Sequence, residues 1–158
     1  PNENPELLQL GVRYMNFAGL CAAADIISIH CPLTSATRHL IDDAALARMK
    51  PGVVLINTGR GAIIDTRAVI AALKRRHVGA LGIDVYEQEE GLFFTDHSEE
   101  VLLDDQIARL QTFPNVLITG HQAFLTREAL SQIGRVTLCS ISEFERGEDL
   151  SNEVRYAS

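Results

Sequence analysis

The chain has 158 residues, 46% of them apolar, and a formal net charge of −7, enough for one globular domain with a core of its own. An acidic balance with no basic face argues against nucleic acid as a partner, because phosphate binding needs clustered cations. No apolar run approaches the ~18 residues of a membrane-crossing helix, so no membrane partner is expected.

Short apolar strands alternate with amphipathic helices. Residues 12–15 ("VRYM") suit a short strand and 17–25 a short helix. Residues 26–31 ("IISIHC") read as a buried strand stopped by Pro32, which has no backbone donor. Asp42 or Asp43 can cap a helix over 44–50, closed by Pro51 and Gly52. Residues 53–57 ("VVLIN") form the clearest strand, β-branched and apolar on both faces. Asp65 is the expected N-cap of a helix over 66–77, with Val69, Ala72 and Leu73 as its apolar stripe and Lys74, Arg75, Arg76 and His77 in its last turn. A strand at 80–85 leads into an acidic stretch over 87–105 without Lys or Arg, read as a solvated loop. A helix near 104–112, a strand at 116–119 and a long helix from Thr126 to Arg146 complete the chain. The last helix carries Leu130, Ile133, Thr137, Ile141 and Phe144 on one face, Gly147 ends it, and a loose polar tail is expected beyond.

Strands apolar on both faces, alternating with helices, specify an α/β fold with a parallel sheet covered on both sides. Ligands in such sheets bind beyond the carboxyl ends of the strands. Those ends present Cys31-Pro32, then Thr58-Gly59-Arg60-Gly61, then Asp84 through Glu89, then Gly120-His121. A guanidinium is a fixed fork that matches a carboxylate, and glycines on either side permit unusual torsions and close approach to a ligand. Arg60 is equally consistent with an ion pair to the acidic loop or a helix end. His121 suits proton transfer near neutral pH, though a lone histidine also serves as a packed or capping residue. Glu89 is either its orienting carboxylate or a solvated loop acid. Taken together the three suit reduction of a 2-oxo acid: Arg60 anchors the carboxylate, His121 moves the proton and Glu89 tunes the histidine. No side chain supplies hydride, whereas a nicotinamide cofactor can.

The segments "ADIISIHCPLT" (24–34), "MKPGVVLINTGRGAIID" (49–65), "GIDVYEQE" (82–89) and "NVLITGHQAFLT" (115–126) resemble the D-isomer-specific 2-hydroxyacid dehydrogenases, closest to the D-lactate dehydrogenase branch. Their order and spacing fit, with 29 residues from Arg60 to Glu89 and 32 from Glu89 to His121. The resemblance implies NAD as cofactor and a small 2-oxo or 2-hydroxy acid as substrate. It also implies a homo-oligomer, dimeric or larger. Arg60 is implied as the substrate-carboxylate residue, and Glu89 and His121 as the proton-relay pair. Cys31, Pro32, Thr37, Thr58, Gly59, Arg60 and Asp84 are implied as cofactor contacts, Asp84 near the carboxamide. Phe124 points to the lactate branch.

The family's Gly-x-Gly-x-x-Gly fingerprint is absent, and the chain starts at Pro1 with its first methionine at Met15. The resemblance therefore implies the C-terminal half of an enzyme. The fold expected is an incomplete doubly wound, Rossmann-like sheet lacking its first strands, followed by a long C-terminal helix. Residues 1–124 are assigned to the cofactor domain and 125–158 to the returning helix of the substrate domain. Without a first strand, 26–31 should present an unpaired apolar edge. Weak NADH binding and little turnover are expected of the chain alone. The alternatives are a relative acting on another 2-hydroxy acid (glycerate, phosphoglycerate or hydroxyisocaproate) and a non-catalytic half-domain that binds a partner. The odd trio Cys21, Cys31 and Cys139 reads as reduced thiols, which together with the lack of a visible leader gives a cytoplasmic expectation.

Overall fold

The computed structural model describes residues 3–89, 92 and 103–155. The elements are α1 (Pro5–Gln9), α2 (Phe17–Ala23), β1 (Ile26–Ile29), α3 (Asp43–Arg48), β2 (Val53–Asn57), a 3-10 turn (Gly61–Ile63), α4 (Thr66–Lys74), β3 (Val78–Ile83), α5 (Asp105–Gln111), β4 (Val116–Ile118) and α6 (Arg127–Arg146). Most of the acidic stretch, including Glu90, Asp96, Glu99 and Glu100, lies outside the described residues.

The four strands form one parallel sheet in the order β1-β2-β3-β4. This is the α/β, Rossmann-like arrangement expected from the alternation of elements. Burial alternates along β1 and β2. Ile27, Ile29, Val53, Leu55, Leu81 and Ile83 form one core with Leu46, Val69, Leu73, Ile107 and Leu110 from α3, α4 and α5. Each such aliphatic side chain contributes roughly 1.5–3 kcal/mol on burial. The opposite face keeps Ile26 62% and Leu117 68% exposed, so only one of the two apolar faces is covered among the described residues. β1 is an edge strand, as expected for 26–31.

Helix starts are set by side-chain caps. Asp42 accepts from Ala45 N–H, Asp65 from Arg67 and Ala68, Asp104 from Gln106 and Ile107, and Thr126 from Ala129. Four expectations shift. Residues 12–15 form no strand, since that segment follows α1 with Val12 N–H bonded back to Leu7 and has no strand to pair with. α4 ends at Lys74 rather than His77, because Arg76 turns left-handed at φ 58° and His77 folds back to donate through Nε2 to Leu46 O. β3 begins two residues early, at Val78, because pairing with Val53 starts there.

Fourth, the tail beyond Gly147, described to residue 155, is tied back rather than loose. Gly147 is left-handed at φ 65°, and Ser151 donates through both its backbone N–H and its hydroxyl to Glu143. Those two bonds hold the Glu143 carboxyl below its usual range. Two compact units divide the chain, Pro1–His121 and Gln122–Ser158. No residue of α6, in the second unit, is buried. Among the described residues no helix is long and apolar enough to cross a membrane.

Candidate active site

The strand register builds the site. β2 and β3 pair through Asn57 and Ile83, and the ladder continues as Asp84 N–H donates to Asn57 O at 3.0 Å. β3 and β4 pair through Ile83 and Ile118, so Thr119 N–H reaches Ile83 O and His121 N–H reaches Asp84 O at 2.7 Å. Parallel strands ending level thus bring Arg60, Asp84, Glu89 and His121 to one rim.

Arg60 follows a turn closed by Asn57, which is wholly buried. The Asn57 amide donates to Arg60 O at 2.9 Å, and its oxygen accepts from Gly59 N–H at 3.0 Å. One side chain therefore satisfies both ends of the Gly59-Arg60 segment, an Asx-type turn. Asn57 is not among the residues that the sequence pattern singles out; its signal is an Asn on the last position of an apolar strand.

The flanking glycines act differently from the sequence expectation. Neither has a positive φ. Gly61 is required for contact instead: a Cβ there would lie 2.0 Å from Tyr86 C and 2.4 Å from Glu87 N. At Gly59 the nearest atoms would be 3.5 Å or more away, an ordinary contact.

Arg60 and Glu89 share the wall of a cavity of about 400 Å³, with Leu33, Tyr86 and Gln88 among its other walls. The guanidinium donates to Gly59 O at 2.9 Å. Among the described residues no carboxylate lies within ion-pair distance of it. Glu89 Oε2 accepts from Tyr86 N–H at 3.0 Å, and Oε1 stands 3.2 Å from His121 Nδ1. That pair is at ion-pair distance but off the hydrogen-bond line. His121 has φ 55°, a left-handed conformation that a non-glycine residue holds only under constraint, and such outliers gather at functional sites. Asp84 is buried and accepts from the Thr119 hydroxyl at 2.5 Å.

The remaining residues singled out from the sequence lie at the ends of β1 and β2. A Cβ at Gly59 would lie in ordinary contact with Ile29 O and Cys31 O, at 3.6 and 3.8 Å. Cys31 is half-buried and Thr58 exposed. The Thr37 hydroxyl donates to Pro32 O at 2.6 Å and accepts from Thr34 N–H at 2.8 Å. The Thr37 side chain is thus committed to shaping its own turn.

The profile of the D-isomer specific 2-hydroxyacid dehydrogenase NAD-binding domain matches residues 1–123. The chain belongs to that family. As a member, it is 49% identical over 154 residues to the D-lactate dehydrogenase of Escherichia coli, covering 98% of this chain and 47% of that protein. It superimposes on the pyruvate reductase of Chlamydomonas reinhardtii with a TM-score of 0.90 and 41% identity, over 96% of this chain and 46% of that one. The D-lactate dehydrogenase of Aquifex aeolicus, solved with NAD and lactic acid, gives a TM-score of 0.83 and 33% identity over 93% of this chain and 45% of that one. The chain spans about half the length of the relatives it matches. The residues present fit the cofactor in part. The Ile29 and Cys31 carbonyls lie beside Gly59, and the buried Asp84 carboxylate lies at the same strand-end edge. No glycine-rich pyrophosphate cradle occurs in the sequence.

Proposed function

We propose that this chain is the cofactor-side half of an NAD-dependent D-lactate dehydrogenase, with Arg60, Glu89 and His121 as its chemical groups. The observation that carries the reading is the Arg60 guanidinium. It has no carboxylate partner among the described residues, yet it shares a cavity with a carboxylate that pairs with a histidine.

Arg60 holds the carboxylate of a small 2-oxo acid through its planar fork. When bound, a nicotinamide supplies the hydride. His121 carries the proton for the carbonyl oxygen on Nε2, the ring nitrogen away from Glu89. Glu89, on the Nδ1 side, orients the ring and stabilises its charged form. Tyr86 N–H steadies that carboxylate, and the backbone bond from His121 to Asp84 keeps the imidazole at the rim. The cofactor contacts proposed are Cys31, Pro32, Thr37, Thr58, Gly59, Arg60 and Asp84. Three free cysteines support a cytoplasmic, reducing setting, and the intact protein is taken to be a homo-oligomer.

The test is a chimera in which this chain replaces the matching C-terminal segment of the Escherichia coli relative. It should reduce pyruvate with NADH, whereas the chain alone should show little or no turnover. A folded chimera that binds NADH but reduces neither pyruvate nor any other 2-oxo acid would overturn the reading. A preference for a bulkier 2-oxo acid would move the substrate assignment within the family.

A further inference from the structure

Glu87 lies two residues before the relay carboxylate and reaches away from it. Its side chain is 17% exposed. One oxygen is 2.5 Å from His39 Nε2; the other accepts from the Thr66 hydroxyl at 3.2 Å and from Thr66 N–H at 3.4 Å. Thr66 is the first residue of α4, so the carboxylate also lies at the positive end of that helix. His39 is itself left-handed at φ 52°, and its N–H is bonded to Ala62 O beside the Arg60 turn.

The same short segment is fixed twice more. The Tyr86–Glu87 peptide rests on Gly61, and the Tyr86 hydroxyl donates to Asp104 Oδ2 at 2.7 Å. Resting on the relay reading above, we propose that Glu87 is a positioning residue. Anchored to His39 and the start of α4, it sets the segment so that Glu89 faces His121. The charged groups around Glu87 are His39 and Arg38 from the preceding loop, together with Asp65 and Arg67 at the start of α4. Among the described residues Glu89 pairs with His121, and Asp84 adjoins it through the backbone bond from His121 N–H to Asp84 O.

The experiment follows the His121 imidazole nitrogen resonances in the ¹⁵N-labelled 158-residue chain at one fixed pH, with a thermal melt for each variant. Glu89→Gln should displace those resonances. Glu87→Ala should displace them most of the way in the same sense, and Glu87→Gln, which keeps an oxygen acceptor for Thr66, only slightly. Thr66→Val, which removes just one donor, should give an intermediate displacement and serves if Glu87→Ala does not fold. If Glu89→Gln moves His121 but Glu87→Ala and Thr66→Val do not, the positioning role falls while the relay reading stands. If Glu87→Gln matches Glu87→Ala, the effect is one of charge and positioning is refuted. If Glu89→Gln itself moves nothing, the relay reading fails and the positioning role with it.

Discussion

Gly61→Ala would place a methyl carbon in space already held by the backbone of residues 86 and 87. The carbon would lie 2.0 Å from Tyr86 C and 2.1 Å from Tyr86 O, against about 3.5–4.0 Å for carbon contacts at rest. Backbone cannot rotate away as a side-chain tip can, so the Arg60 turn and the 84–89 segment must part by ~1.5 Å. Over-packing of this kind costs about 1–3 kcal/mol and sometimes more. In a chain of this size that lowers the melting temperature by roughly 3–10 °C. With Arg60 and Glu89 in the roles proposed above, a separation of that size is also worth about 10²-fold in rate. Gly59→Ala is the matched control: its contacts begin at 3.5 Å, so it should stay within about 0.5 kcal/mol. Thermal and urea melts followed by circular dichroism make the comparison. A Gly61→Ala protein melting within a degree of Gly59→Ala would refute the steric argument.

Other perturbations test neighbouring parts of the site. Asn57→Ala strands the Gly59 N–H and the Arg60 carbonyl, and should cost about 2–3 kcal/mol in urea unfolding; a loss near zero would remove its clamping role. Burial pushes the Tyr86 hydroxyl well above the usual tyrosine range, and the bond to Asp104 pushes it further. The folded state then keeps a proton that the unfolded chain loses above about pH 10, so stability falls as pH rises past that point. Tyr86→Phe should lose about 1 kcal/mol near neutrality and flatten the alkaline decline, whereas an equally steep decline would assign it to other groups such as the buried Cys21 thiol, also raised by burial. In the chimera, Arg60→Lys should weaken substrate use by about 1.5–3 kcal/mol, because one ammonium cannot replace the fork; near-normal kinetics would take Arg60 out of the site. His121→Ala should lower turnover ~10²–10⁴-fold with NADH binding retained, and unchanged turnover would refute its proton role.

The sequence by itself determined the alternation of strands and helices, the caps at Asp65 and at Asp42 or Asp43, the edge position of β1, and the family, through four motifs in register. These features are local or nearly so: a carboxylate two or three residues before its N–H partners, or an apolar run too short for anything but a strand. Tertiary structure alone decided why Gly61 is glycine, why His121 stands left-handed, and where Asn57 and Glu87 act. Asn57 clamps its own turn, but the Gly61, His121 and Glu87 contacts depend on partners distant in sequence, up to 48 residues away in the case of His39 and Glu87. The Gly61 contact follows from Asn57 pairing with Ile83, which aligns the two strand ends and lays the Tyr86 peptide on the Arg60 turn. Residue type announces what a side chain is able to do, but a parallel ladder fixes which residues meet, and its alignment is a property of the whole sheet.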